Sequence, residues 1–110
     1  MENVNEKKER TQEIKNLENF LKEFEVKYIV EYNKIVIDSE LVEVVYNNPN
    51  EFHENMFKIK IIVNQANTIR VMPLKDYVIF DSWKGTKLIT KRIYLIKNII
   101  FEPKRVFIYF

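Results

Sequence analysis

The C-terminal stretch TKLITKRIYLIKNIIFEPKRVFIYF, residues 86–110, decides the fold of this chain. β-Branched and aromatic residues dominate it, and such residues favour strands over helices. Apolar residues occupy both alternating faces of Leu88–Phe101, which predicts two strands or one strand bent by a bulge. Pro103 takes the second position of a turn at 102–105, so Val106–Phe110 is expected to fold back as a hairpin strand. The apolar residues exceed what one buried face requires, which predicts either burial on both faces or an edge open to a partner.

Upstream, the first 25 residues predict a helix. Five apolar residues recur at spacings of three and four, which places them in one stripe: Ile14, Leu17, Phe20, Leu21 and Phe24. We expect this stripe to pack on a sheet, and binding to a partner or to a second copy is the alternative. The two turns before the stripe are polar, so they are expected to project from the body of the protein.

From residue 26 onward the apolar period changes to two, which predicts successive antiparallel strands. The expected strands cover residues 26–32, 35–37, 41–46, 56–63, 68–72 and 77–80, followed by those of the C-terminal stretch. The expected turns lie at 33–34, 38–40, 64–67 and 81–86, with a longer loop at 47–55. Gly85, the only glycine in the sequence, is expected at a positive φ in the last of these turns.

The predicted fold class is therefore α+β. A single domain spans residues 1–110, with an N-terminal helix over 1–25 packed on a curved, mostly antiparallel sheet over 26–110. We expect six to eight strands arranged as a meander or a partial barrel. The predicted core consists of Leu17, Phe20, Leu21, Phe24, Val30, Ile37, Ile59, Ile61, Val71, Ile79, Ile93, Leu95, Ile100 and Phe107.

The composition argues against several classes of function. There is no cysteine, so the chain has no disulfide, no thiolate nucleophile and no zinc–thiolate site. With one glycine it cannot build a glycine-rich phosphate loop or a dinucleotide-binding motif. His53 lies beside Glu51 and Glu54, a pattern more typical of a solvated loop than of a metal site. We expect a protein that is not an enzyme and that uses neither a cofactor nor a metal.

The distribution of apolar residues also bears on location. Hydrophobic residues make up 46% of the chain, which is enough for a packed core. The start lacks the apolar segment of a signal peptide, and no apolar run approaches the ~20 residues that span a bilayer. The sequence predicts a small soluble cytoplasmic protein with no membrane partner.

Charge is divided unevenly along the chain. Residues 1–55 carry 13 acidic and 7 basic residues, and residues 56–110 carry 3 acidic and 11 basic residues. Such asymmetry indicates charged partners, or two halves that neutralise each other within one fold. The predicted contact residues for a protein or a nucleic acid are Lys58, Lys60, Trp83, Lys84, Lys87, Lys91, Arg92, Lys97, Lys104 and Arg105. The predicted acidic contact surface comprises Glu6, Glu9, Glu13, Glu51 and Glu54.

These features predict an interaction protein that binds a macromolecule. A protein partner is favoured, with the chain acting as an inhibitor or adaptor of the kind that viruses and mobile elements encode. Trp83 either caps the edge of the core or faces solvent as a contact anchor, because tryptophan is enriched at binding hot spots.

Two alternatives for the function remain open at this point. In the first, the basic second half binds nucleic acid by charge and by stacking of Tyr77, Trp83, Tyr94 and Tyr109 on bases. In the second, the protein has a structural or assembly role. A homodimer through the C-terminal strand or the N-terminal helix is compatible with each, because an apolar strand at a sheet edge can pair with another chain.

Overall fold

The computed structural model describes residues 4–46 and 57–110 of the chain. The predicted loop at 47–55, with Glu51, His53 and Glu54, lies outside the described residues. Over the described ranges the chain forms one helix and nine strands, so the α+β class is confirmed.

The helix α1 (Val4–Glu23) buries the apolar stripe that the spacing predicts, and residues 5–9 at its start are exposed. It ends where Glu25 takes a φ of 55°. The Val26 N–H donates to the Leu21 carbonyl at 3.1 Å, which is the bond pattern of a Schellman cap. The cap turns the chain directly into the first strand.

The strands form two antiparallel sheets. Their bounds are β1 (Tyr28–Glu31), β2 (Lys34–Asp38), β3 (Leu41–Tyr46), β4 (Phe57–Ile62), β5 (Thr68–Pro73), β6 (Val78–Lys84), β7 (Lys87–Ile93), β8 (Asn98–Phe101) and β9 (Arg105–Tyr109). The first sheet has the order β1-β2-β9-β8 and the second the order β3-β4-β5-β6-β7. The prediction of one sheet with six to eight strands is therefore wrong, and the sheets do not close into a barrel.

The chain passes between the sheets at two corners. At the first, the Ser39 N–H donates to the Lys104 carbonyl beside the four-stranded sheet, at 3.0 Å. The next residue, Glu40, donates its N–H to the Ile62 carbonyl of the five-stranded sheet at 2.9 Å. The predicted turn at 38–40 is thus a corner between sheets and not a hairpin. Residues 94–97 form the second corner, between β7 and β8.

The helix and the inner faces of both sheets share one core. Phe20 of α1 lies 6.2 Å from Phe80 of β6 between ring centroids, and Phe57 of β4 lies 6.5 Å from Phe101 of β8. The buried apolar residues are Ile14, Leu17, Phe20, Leu21, Phe24, Val26, Ile35, Ile37, Ile59, Ile61, Ile69, Val71, Val78, Phe80, Ile93, Val106, Ile108 and Phe110. The excess apolar residues of the C-terminal stretch are accounted for in part by this shared core.

Two predicted turns are placed differently by the structure. The first hairpin turns at Tyr32 and Asn33, because Glu31 pairs with Lys34, and not at 33–34. In the second case β6 continues through residues 81–84, and the turn itself is shortened to Gly85 and the residue after it. Gly85 has a φ of 64°, which confirms the predicted positive value.

Several predicted core residues are not in the core. Val30 lies on the edge strand β1 and is exposed, and Leu95 lies in the second corner and is exposed as well. Ile100 and Phe107 point away from the core because their strand neighbours Ile99 and Ile108 face it. Ile79 is half-buried on the outer side of β6 for the same reason, since its neighbours on the strand face inward.

The C-terminal strand also differs from its predicted position. β9 lies between β2 and β8, so both its edges are paired. Of the two alternatives for this strand, the open edge is therefore excluded, and the edges of the four-stranded sheet are β1 and β8. Among the described residues, no helix is long and apolar enough to cross a membrane.

Candidate binding surface on the five-stranded sheet

Alternate residues of β3 to β7 point away from the core and form what we call the outer face of the five-stranded sheet. No described helix or strand packs on this face, since α1 and the four-stranded sheet lie on the other side. Strand register orders its side chains into three rows that cross the sheet. The first row, called the apolar row, contains Leu41, Ile62, Thr68, Trp83 and Leu88. The second, called the charged row, contains Glu43, Lys60, Arg70, Asp81 and Thr90. The third row contains Val45, Lys58, Met72, Ile79 and Arg92.

An ion pair lies at the centre of the charged row. Arg70 donates from Nε to Asp81 Oδ1 at 2.6 Å and from Nη2 to Oδ2 at 3.0 Å. Asp81 is 3% exposed, so its charge depends on this two-pronged contact. The Ser82 hydroxyl next to it is buried on the inner side and donates to the Thr68 carbonyl at 2.9 Å. The middle of the face is therefore held by an ion pair between β5 and β6 and by a hydrogen bond behind it.

Trp83 is the largest exposed side chain of the apolar row. It is 56% exposed, and its strand partner Leu88 and the distant Leu41 are also exposed. The backbone of Trp83 is fixed by the β6–β7 ladder, so binding does not have to order the backbone that carries the indole. Of the two positions predicted for Trp83, the structure shows the solvent-facing one, and its role as a contact anchor stays a prediction.

The rim next to Trp83 is concave. A depression of about 450 Å³ is lined by Trp83 together with Phe24, Asn67 and Gly85. The depression lies between the end of the helix and two hairpin turns. It can receive a side chain from a partner that covers the indole.

A second aromatic cluster lies at the other end of the face. The Arg92 guanidinium lies 5.0 Å from the centre of the Tyr77 ring, and the ring of Tyr94 lies 5.5 Å from that of Tyr77. A cation over an aromatic ring is attracted by about 0.5–1 kcal/mol at an exposed site. The contact places the Arg92 guanidinium beside the Tyr77 ring, and Arg92 remains exposed.

The outer face has a positive balance. Its rows carry four cations, Lys58, Lys60, Arg70 and Arg92, and two acids, Glu43 and Asp81. Lys60 is paired across strands with Glu43, and Arg70 is bound by Asp81. Within the three rows, the two cations that have no acidic residue opposite them on a neighbouring strand are Lys58 and Arg92. Both are in the third row.

The structure distributes the predicted basic residues over several surfaces. Lys58, Lys60, Trp83 and Arg92 share the outer face. The residues that project on the opposite side of the same sheet are Lys84, Lys87 and Lys91, and the Lys84 Nζ lies 3.4 Å from Glu23 of the helix. Lys97 is in the second corner, and Lys104 and Arg105 are at the β8–β9 turn, where Arg105 Nε donates to Asp38 at 3.1 Å.

The predicted acidic residues are divided as well. Glu6 and Glu9 line a cleft of about 350 Å³ between the start of the helix and the second corner, together with Lys97. Glu13 has a structural contact, because its Oε1 accepts the Tyr94 backbone N–H at 2.8 Å and its Oε2 accepts from Asn16 at 2.6 Å. Glu51 and Glu54 lie outside the described residues.

Sequence reasoning did not include the apolar members of the outer face among the contact residues. Leu41 and Leu88 are the clearest omissions, because both are exposed and lie in the same row as Trp83, with Leu88 directly beside it. Their alternation with inward-facing Val42 and Ile89 is the signal that could have identified them. Among the residues that the structure describes, no group of three or more His, Asp or Glu side chains could hold a metal ion.

Comparison with known protein families, with characterised proteins and with solved structures gives no match.

Proposed function

We propose that this chain is a non-catalytic protein-binding module whose outer face on the five-stranded sheet docks a partly apolar, acidic surface of a partner protein. The observation that carries the proposal is the exposed Trp83, held by a strand ladder beside Leu88. Tryptophan, tyrosine and arginine are the residues most enriched at binding hot spots, and Trp83, Tyr77 and Arg92 are all on this face.

The layout of the face supports a protein partner. Protein interfaces combine apolar and polar areas, and on this face a row containing Leu41, Trp83 and Leu88 runs beside the charged row. The surplus of cations favours a partner with an acidic rim, since complementary charge raises the association rate and selects the partner. Arg92 and Lys58 are the groups that we expect to contact acidic side chains.

Single-stranded nucleic acid is the second candidate for the same face. The observation that favours it is the cluster of Tyr77, Arg92 and Tyr94, because rings beside a cation can stack on bases. Two contacts weigh against it: Asp81 already occupies Arg70, and Glu43 is in register with Lys60. These acids offset two of the four cations, so the middle of the face has little net charge to hold a phosphate backbone. A protein partner that also contacts the apolar row is therefore favoured.

A capture experiment with neighbouring variants tests the proposal. Tagged wild-type protein is used to isolate partners from an extract of the source cells, in parallel with Trp83→Ala and Arg92→Glu. Lys91→Glu is the matched control, because Lys91 is adjacent in sequence, equally positive and on the opposite side of β7. We expect a protein that Lys91→Glu retains and that both outer-face variants lose.

The nucleic-acid candidate has its own measurement. Wild-type protein is applied to heparin and to single-stranded DNA at about 50 mM salt, where phosphate contacts are strong. Retention that falls steeply with salt and disappears in Arg92→Glu would favour nucleic acid. Absence of retention would exclude it and leave the protein partner.

A further inference from the structure

The outer side of the four-stranded sheet carries a second uncovered face, which we call the outer face of the four-stranded sheet. Its central row crosses all four strands and is apolar: Ile29, Val36, Phe107 and Ile100. The two ends of the row are open, since Ile29 is 53% exposed and Ile100 is 46% exposed, whereas Val36 between them is 7% exposed and Phe107 is half-buried. None of the described elements packs on this row, because the core lies on the other side of the sheet.

A charged or polar row flanks the apolar row on each side. One row contains Glu31, Lys34, Tyr109 and Asn98. The other contains Lys27, Asp38, Arg105 and Glu102. Lys27 and Glu102 lie just beyond their strands but keep the register, because the Asp38 N–H donates to the Lys27 carbonyl and the Glu102 N–H donates to the Arg105 carbonyl. The face therefore has an apolar centre and two polar borders.

We propose that this face is the interface of a homodimer, in which two copies of the chain pack face to face about a two-fold axis parallel to the apolar row. The inference is independent of the proposed function, which concerns the other sheet. It also differs from the dimer expected by strand pairing, because β9 contributes its face and not its edge.

Charge complementarity of the face with itself identifies the occupant. A two-fold axis along the apolar row exchanges the two borders and keeps the order of the strands. Each border residue therefore lies opposite a residue of the second copy that is on the same strand but on the other border. Lys34 then meets Asp38 of the second copy, and Glu31 meets Lys27. Each contact occurs twice, as an isologous interface requires. Both borders therefore gain opposite charges and no like-charged pair.

The polar pairs at the other end of the borders agree with the same axis. Arg105 meets the ring of Tyr109 in the second copy, which allows a cation–π contact. Asn98 meets Glu102, which allows an amide donor to face a carboxylate. All eight border positions of each copy thus meet a group of complementary chemistry.

The alternative axis, parallel to the strands, would also give complementary contacts. On one border it would place Lys27 over Glu102 and Arg105 over Asp38 of the second copy. Arg105 and Asp38 are already joined within one chain at 3.1 Å, so only Lys27 with Glu102 would be a combination that the single chain lacks. The axis along the apolar row provides two such combinations, Lys34 with Asp38 and Glu31 with Lys27, although Lys34 also lies 3.4 Å from Glu31 within one chain.

Contacts within one chain prepare the face for this packing. Lys34 lies over the rings of Phe107 and Tyr109, with Nζ at 6.0 and 5.8 Å from the ring centres. Arg105 is held beside Asp38 at 3.1 Å. Dimerisation by addition at the β8 edge is less favourable, because the Asn98 side chain already accepts the Ile99 N–H at 2.9 Å.

The size of the face sets the expected strength. Four strands about 4.8 Å apart, with about five residues at 3.3 Å each, give a flat footprint of roughly 300 Å² per copy. This is small compared with the ~800 Å² per partner of a standard interface. We expect a weak dimer that forms in the concentration range of about 10 μM to about 1 mM.

Sedimentation equilibrium of the full chain over that range tests the proposal. We expect a concentration-dependent dimer that Ile100→Lys weakens at least about tenfold, since it places a charge in the apolar row. Leu41→Lys is the matched control, because Leu41 is 42% exposed on the other sheet and should leave the dimer unchanged. Ile29→Lys repeats the test at the opposite end of the row. A monomer at all concentrations, or a dimer that Ile100→Lys and Ile29→Lys leave intact, would overturn the proposal.

A charge exchange tests the orientation of the axis. In a dimer of Lys34→Glu, each introduced glutamate faces Asp38 of the second copy, so two like-charged contacts form. In a dimer of Asp38→Lys, each introduced lysine faces Lys34 in the same way. The dimerisation affinity of each variant should therefore be about tenfold lower than that of wild type. In an equimolar mixture, the introduced glutamate of one variant meets the introduced lysine of the other, and the second contact keeps the native pair. We therefore expect the mixture to form heterodimers with near wild-type affinity. Failure of the mixture to recover association would overturn this arrangement.

Discussion

Arg70 and Asp81 lie directly opposite each other on β5 and β6 and are joined by two hydrogen bonds, although the sheet face that carries them is uncovered by any described element. Asp81 is 3% exposed, whereas the Arg70 side chain is 35% exposed. The arginine thus covers the carboxylate from solvent. This pair fixes the centre of the outer face on which the proposed partner docks.

We expect Arg70→Met to lower the free energy of unfolding by about 2–3 kcal/mol, because it leaves a buried carboxylate unpaired. We expect a loss smaller than that for a fully buried ion pair, because Arg70 is partly exposed to solvent. Arg70→Met combined with Asp81→Leu should recover most of the stability. Urea denaturation of the single and double variants measures this, and equal destabilisation in both would contradict the account.

The same pair explains why the sequence alone misplaces the end of β6. Asp81 and Ser82 resemble turn residues, and a strand that buries both requires partners that lie far along the chain. Those partners are Arg70 and the Thr68 carbonyl. Local pattern does not reveal such pairing, so the predicted turn is too long and places Trp83 beside a turn instead of within a strand.

Other parts of the fold are predictable from period alone. The helical stripe from Ile14 to Phe24 and the alternation of Ile59 and Ile61 in β4 each have one face that is clearly more apolar than the other. Strands with two apolar faces have no such asymmetry. For that reason the sequence assigns Phe107 to the core, whereas its neighbour Ile108 is buried there.

The candidate surface is predictable in part for the same reason. Trp83, Arg92, Lys58 and Lys60 are predicted contact residues and share one face. Their separation from Lys84, Lys87 and Lys91 depends on strand register, which places alternate residues of β7 on opposite sides. Register cannot be fixed without the bounds of β6.

The contact between Glu13 and Tyr94 joins the helix to the second corner. We expect Glu13→Ala to destabilise the protein by about 1 kcal/mol, because the Tyr94 N–H loses a charged acceptor. Hydrogen exchange of the Tyr94 amide should accelerate in this variant. Glu9→Ala is the control, since Glu9 is an exposed helical residue, and acceleration in both variants would mean that the contact does not restrain the corner.

Glu25 ends the helix in a left-handed conformation that favours glycine. We expect Glu25→Gly to raise the free energy of unfolding by about 0.5–1 kcal/mol, the balance between relieved backbone strain and the greater freedom of glycine when unfolded. Glu25→Ala keeps the strain and should give no gain. Thermal denaturation that ranks alanine at or above glycine would refute this explanation of the cap.

Tyr28 connects β1 to the helix through a hydrogen bond from its hydroxyl to Glu18 at 3.1 Å. Burial raises the pKa of Tyr28 in the folded state, and the bond and charge of Glu18 raise it further. A raised folded pKa gives a stabilisation that is complete below the unfolded value of about 10 and is lost as pH rises above it. We expect the difference in unfolding free energy between wild type and Tyr28→Phe to shrink as the pH rises above about 10. A difference that stays constant from about pH 8 to about pH 11 would contradict the raised pKa.

The central claim is that the outer face of the five-stranded sheet binds a partner protein. Titration calorimetry of the captured partner against three variants tests it most directly. We predict that Trp83→Ala and Arg92→Glu each weaken binding at least about tenfold, equivalent to about 1.4 kcal/mol, whereas Lys91→Glu changes it less than about twofold. Undiminished affinity in both outer-face variants, with loss in Lys91→Glu, would contradict the claim and assign the partner to the opposite side of the sheet.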